Sequence, residues 1–178
     1  MKNRYEIRGD ITVIFIESKK YGTFECLIDT EDLEKVKGVT WHIKKRVGNR
    51  KGWDVRCHSG KSTKNLCQVI MNTPKGMVTD HINGDTLDNR KKNLRVTDYS
   101  GNRQNLRGSY KSSKTGVRGV TLAYYKKDGT PMYRGTYQVN GILKHTPCVD
   151  SIEKASELVK EARRKFMPYS EMDKEEIS

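Results

Sequence analysis

Residues 4–28 alternate apolar and polar side chains with the period of a pleated strand. Ile11, Val13 and Phe15 fall on one side of the pleat, and Thr12, Ile14 and Ile16 on the other. Gly9-Asp10 breaks the run, Lys19-Lys20-Tyr21-Gly22 reads as a turn, and residues 23–28 return as a second strand, so a hairpin is expected. Asp29-Thr30 can cap a short helix over 30–37, with acidic residues in its first turn, lysines in its last, and Gly38 to end it. Residues 39–47 and 53–59 are two more strand candidates around the turn-like stretch 48–52, with Trp41 and Trp53 in the core. His42 and His58 lie on these strands with no Cys or carboxylate at ligand spacing and read as ordinary packing or surface residues. Residues 62–71 fit a short helix capped by Ser62, which Pro74-Lys75-Gly76 breaks.

The polar density then rises. Met77-Val78-Thr79 forms a short strand leading into Asp80-His81, and Ile82-Asn83-Gly84-Asp85 is a tight-turn sequence. Leu87 to Leu94 gives an irregular second arm, in which Asn89, like Asn83, reads as a turn maker. Thr97 and Ser100 can each cap a helix that starts near Asp98 and carries Asn102 and Asn105. The order is strand, loop, strand, helix. Residues 106–115 are basic and rich in Ser and Gly, with no core of their own. Three strand patterns follow, over 116–127, 132–139 and 142–149, separated by Asp128-Gly129-Thr130-Pro131 and by the type I′ signal Asn140-Gly141. Over 151–166 the period lengthens to that of a helix, with Ile152, Ala155, Leu158, Val159, Ala162 and Phe166 on one face. That helix should cover one face of a three-stranded sheet, with Arg163-Arg164-Lys165 in solvent and a disordered acidic tail behind it.

These patterns predict an α+β chain: an N-terminal antiparallel β-rich domain with short helices (1–76), a compact block (77–106), a basic linker (107–115), a three-stranded antiparallel sheet packed on one helix (116–167) and an acidic tail (168–178). Composition adds a partner. The chain has 178 residues, a net charge of +13 and only 34% hydrophobic residues, which favours small modules and an anionic partner, nucleic acid first. Lys and Arg exceed Asp and Glu in every segment up to the tail, as an extended track along a polyanion requires. The four cysteines, at 26, 57, 67 and 148, have no CxxC spacing, so no structural zinc is expected and a reducing compartment is. No signal peptide or membrane span is read, so the expected setting is the cytoplasm of the host cell, without a membrane partner, and the expected state is a monomer.

The chemistry concentrates in the central block. Hydrolysing a phosphodiester needs an activated water, charge stabilisation on the phosphate and help for the leaving oxygen. Asp80 offers a carboxylate and Asn102 an amide oxygen to a hard cation, and Mg²⁺ commonly takes only one or two protein ligands. His81 titrates near neutrality and can take a proton from water. Neighbours in a strand face opposite ways, so Asp80 and His81 can serve one site only where the strand bends or ends.

The spacing of His81, Asn93 and Asn102 resembles the HNH nuclease family, the ββα-metal fold, in its phage and intron-encoded homing branch. The resemblance covers 77–106 and implies a general base at His81, metal ligands at Asp80 and Asn102, and a loop-holding Asn93 that orients His81. It also implies Mg²⁺ or Mn²⁺ as cofactor and double-stranded DNA as substrate. The helix before the block departs from the family's Leu-His-Arg-Leu-Ile-Met: here it reads Leu66-Cys67-Gln68-Val69-Ile70-Met71.

Residues 116–167 resemble the plant ethylene-response-factor (APETALA-type) DNA-binding domain through Arg118-Gly119-Val120 and Tyr133-Arg134, with Gly135 where that family has Ala. This resemblance implies a sheet face that enters DNA. Arg118, Tyr125, Lys126, Arg134 and Lys144 are the side chains expected to face outward together, with Arg95 and Arg103 adding DNA contacts from the central block. The function expected is a metal-dependent endonuclease that cuts or nicks double-stranded DNA. The competing reading is a non-catalytic DNA-binding regulator on a decayed HNH fold.

Overall fold

A computed structural model describes residues 3–47, 52–60, 62–106, 108–110 and 112–174. The expected turn at 48–52 lies outside the described residues except for Gly52. The architecture is α+β, built from small antiparallel sheets, and the chain divides into two compact units, Met1–Tyr99 and Ser100–Ser178. No helix among the described residues is long and apolar enough to cross a membrane.

In the first unit, β1 (Tyr5–Arg8), β2 (Ile11–Ser18) and β3 (Gly22–Asp29) form a sheet in that order. The Gly9-Asp10 break is thus a hairpin turn, with Gly9 at φ 62°, and β2 takes a partner on both sides. Having two partners buries it almost throughout: Ile14 and Ile16 are fully inaccessible. A 3-10 turn leads into α1 (Leu33–Val36). Asp29 does not cap it; its carboxylate accepts the Lys91 N–H at 2.7 Å instead.

A second sheet holds β4 (His42–Lys45), β5 (Trp53–Ser59) and β6 (Ser62–Asn65). Residues 62–65 are therefore a strand, because β5 offers them a hydrogen-bonded edge. The helix expected from Ser62 begins later, as α2 (Leu66–Ile70), and Gln68 Oε1 reaches back to the Asn65 N–H at 3.4 Å. Trp41 lies in the core and donates its indole N–H to the Val36 carbonyl, whereas Trp53 is half-buried against Tyr21 and Phe24.

One hydrophobic core joins Ile14, Ile28, Val36, Trp41, Leu66 and Ile70 to Leu87 and Leu94. The boundary expected at 76/77 therefore falls inside a single core. The two-stranded ribbon β7 (Val78–His81) and β8 (Leu94–Thr97) rests on the N-terminal sheets, and those sheets are its scaffold.

The second unit takes in most of α3 (Tyr99–Gln104), then a sheet in the order β11 (Ile142–His145), β10 (Pro131–Val139), β9 (Val120–Tyr125), with α4 (Ile152–Phe166) against it. Ser151 caps α4 by accepting the Lys154 N–H at 3.1 Å. Val120, Ala155 and Val159 form the core. A Cβ at Gly135 would collide with the Val159 Cβ, so the residue that departs from the plant-domain pattern is the one that lets helix and sheet approach.

Two expectations fail at the end of the chain. Arg163 is buried on α4, and residues 167–174 fold back as an ordered segment that buries Asp173 completely. Arg163 donates Nε to Asp173 Oδ2 at 2.8 Å and Nη2 to Oδ1 at 2.7 Å, and the Ser170 hydroxyl bonds the same carboxylate. Burial pushes the Asp173 pKa up, but the bonds from Arg163 and Ser170 outweigh it and hold the group below its ordinary value. The arginine has a partner ten residues downstream that the helical pattern of 151–166 does not contain.

Candidate active site

The ribbon pairs Asp80 with Arg95 and His81 with Leu94. Cross-strand partners share a face, so His81 turns toward the core that holds Leu94, while Asp80 lies on the other face beside Arg95. Both are buried, Asp80 at 8% and His81 at 7% exposure. Strand β7 ends at His81, and Gly84, at φ 77°, closes a turn by donating its N–H to the His81 carbonyl.

Asn93 organises the loop from inside. Its Oδ1 accepts the Asn83 N–H at 2.9 Å, its Nδ2 donates to the carbonyls of Asp88 at 2.8 Å and Asp85 at 3.3 Å, and its carbonyl accepts the Ile82 N–H at 2.9 Å. These bonds hold the loop between the strands. The imidazole is met by another residue, Asn89, whose Oδ1 lies 3.2 Å from His81 Nε2. Asn89 is 1% exposed and is no mere turn maker; its Nδ2 bonds Cys26 Sγ and the Thr86 carbonyl, both at 3.2 Å.

The loop is also fastened to the edge of β3. Leu27 donates its N–H to the Leu87 carbonyl at 2.8 Å and accepts the Asn89 N–H at 2.7 Å. The Thr86 hydroxyl bonds the Trp53 carbonyl, and Lys91 pairs with Glu31 and Asp32. Asp88 and Arg90 form a two-bond fork at 2.7 Å, which holds the Asp88 carboxyl below its ordinary pKa.

Electrostatically, burial lowers the His81 pKa, and the nearby Arg46 charge adds to this; the Asn89 bond and Asp80 act the other way. The imidazole is thereby kept in its neutral, proton-accepting form at neutral pH. Arg95 donates Nε at 3.0 Å and Nη2 at 2.9 Å, both to Asp80 Oδ2.

Residues 72–107 match the family model for HNH endonuclease. The match begins before β7, runs through α3, and covers less than half of the chain. No curated protein and no solved structure matches the chain.

Within the HNH segment, Arg95 is engaged with Asp80. Asn102 and Arg103 lie on α3, Asn102 half-buried and Arg103 exposed. Among the described residues no three His, Cys, Asp or Glu side chains converge to hold a metal.

The DNA-contact candidates of the second unit do not share one face. Arg118 turns inward, donating Nη2 to the Gln104 carbonyl at 2.7 Å and Nη1 to Ser170 Oγ at 3.2 Å. Burial, with the like charge of Arg163, lowers its pKa to about 10. Lys144 pairs across the sheet with Tyr137, and both meet Phe166 of α4, so Lys144 lies on the helix side. Arg134 falls between Tyr133 and Gly135, which meet α4, and so lies on the opposite face of β10. Tyr125 and Lys126 are exposed at the end of the β9–β10 hairpin.

Sequence reasoning missed Asn89, Cys26 and the inward turn of Arg118. The signal for Asn89 was faint: its amide answers a cysteine 63 residues away.

Proposed function

We propose that the chain is a metal-dependent endonuclease that hydrolyses phosphodiester bonds in double-stranded DNA, by cutting or nicking, and that it is of the phage or mobile-element kind. The observation that carries this reading is the end of β7 inside the HNH segment, where a neutral, buried His81 stands beside Asp80 on a loop bonded from within by Asn93.

His81 takes the proton of the attacking water as general base. Asn93 keeps the loop in the shape that presents His81, and Arg95 fixes the side chain of Asp80. Asp80 and Asn102 would hold Mg²⁺ or Mn²⁺, which supplies charge stabilisation to the phosphate and the leaving oxygen. Arg103, Tyr125, Lys126 and Arg134 supply phosphate or groove contacts, and the net charge of +13 draws the chain to DNA.

A second reading, a DNA-binding regulator without catalysis, draws on the two Arg95 bonds to Asp80, which place a cation of the chain itself at the proposed ligand. Supercoiled plasmid decides between them. The purified chain nicks or linearises it with Mg²⁺ or Mn²⁺ and leaves it intact with EDTA. His81→Ala lowers the rate by about 10²–10⁴-fold, the contribution of a general base, while retaining DNA binding. Unchanged cutting by His81→Ala removes the assignment of the base; DNA binding without cutting by the unaltered chain supports the regulator.

A further inference from the structure

The hydrogen bonds around Asn89 determine more than its burial. An amide side chain has one end that only accepts and one that only donates. The Thr86 carbonyl can only accept, and it lies 3.2 Å from the amide nitrogen of Asn89. The amide is therefore set with Nδ2 toward Thr86 and Cys26, and with Oδ1 toward His81. Oδ1 only accepts, so the imidazole must donate to it. The proton of the neutral ring then sits on Nε2, and the lone pair is on Nδ1.

The orientation is built into the fold. Asn89 N–H bonds the Leu27 carbonyl at 2.7 Å, and Cys26, the next residue along β3, is fully inaccessible. A single residue is thus gripped through its backbone and both amide hydrogens, with only its oxygen presented to the ring.

We infer that Asn89 is a positioning residue that holds His81 as the Nε2–H tautomer and so makes Nδ1 the atom that takes the water's proton. The inference rests on the endonuclease reading for its last step only. In that step the water proton passes to Nδ1, the hydroxide oxygen bonds phosphorus, and the ring, now doubly protonated, keeps its Nε2–H on Asn89 Oδ1. Asn93, whose bonds go to the loop backbone, has no part in setting the tautomer.

The first test needs no substitution and no cleavage. Two-bond ¹H–¹⁵N correlation spectra of the full chain, without metal or DNA, distinguish the two imidazole tautomers. His81 is assigned by the signals that vanish in His81→Gln. An Nε2–H imidazole is expected, and an Nδ1–H imidazole or a rapid mixture overturns the inference. In the second test, Asn89→Ala is expected to release the tautomer into a mixture. It should lower kcat for plasmid nicking by about 10- to 100-fold, by analogy with the loss when the hydrogen-bond partner orienting a metal-bound histidine is removed, with KM for DNA unchanged. An Asn89→Ala chain that keeps both the tautomer and kcat overturns it. Where Asn89→Ala fails to fold, the unaltered chain still decides. The expected tautomer in an unaltered chain that cuts no DNA supports the positioning role and removes the endonuclease reading.

Discussion

Asp173 of the second unit and Asp80 of the first are buried aspartates held by an arginine, and these two pairs are made differently. In the second unit Arg163 and Asp173 meet fork to fork, one bond on each carboxylate oxygen, with side-chain exposures of 4% and 0%. Ser170 adds a third bond to the same carboxylate from inside the protein. In the first unit Arg95 donates Nε and Nη2 to the same oxygen, Asp80 Oδ2, with side-chain exposures of 17% and 10%. The first arrangement closes a carboxylate off. The second brings two nitrogens of one arginine to a single carboxylate oxygen. A fork built to stabilise and an arginine built to orient are thus separable by how the oxygens are shared.

Breaking the fork should have the largest effect on stability. Asp173→Ala leaves Arg163 charged and buried, which costs about 3–5 kcal/mol. Hydrogen exchange should show protection lost across the second unit, while nicking per folded molecule persists. The matching change at the other pair, Asp80→Ala, should cost less, about 1.5–3 kcal/mol as for hydrogen bonds to a charged group, yet remove metal-dependent nicking. Equal destabilisation by the two substitutions, measured by urea unfolding, breaks the distinction.

Gly135→Ala asks whether the second unit depends on the fork alone. Its new Cβ has no room against Val159 and Thr146, and overpacking of this kind costs about 1–3 kcal/mol. Unchanged unfolding would show that α4 can retreat from β10.

The smallest effect is that of pH. Asp173 titrates below its ordinary value when folded, so its contribution is complete above about pH 4, the unfolded carboxylate range. It is lost as the pH falls through the folded value. The second unit should therefore weaken on acidification below about pH 4, and Asp173→Asn should weaken less over the same interval.

Much of this was legible in local pattern. The alternation in residues 4–28 carried the first sheet, Asn140-Gly141 marked the β10–β11 hairpin, and Asp80, His81 and Asn93 stood out by spacing and chemistry. What escaped was long-range. Ser62 was read as a cap because the edge of β5 that turns 62–65 into a strand is not visible locally, although Asn65 and Gln68 carried the true helix start. Arg163 read as solvated because its partner lies beyond the helix. Lys144 read as outward because strand alternation alone does not say which face α4 covers. Asn89 resembled a loop former because nothing nearby announces the Cys26 sulfur that it answers.

The backbone bonds between Leu27 and residues 87–89 have a consequence for portability. The HNH segment is not a cassette. Its loop borrows the outer edge of β3, so the residues that match the family model contain the histidine but not the strand that steadies it. Transplanted alone into another host protein, 72–107 would bring the chemistry without its mounting. A graft would have to carry β3, and with β3 the sheet to which it belongs. The smallest transferable piece of this segment is therefore set by Leu27 and Cys26, some fifty residues ahead of His81.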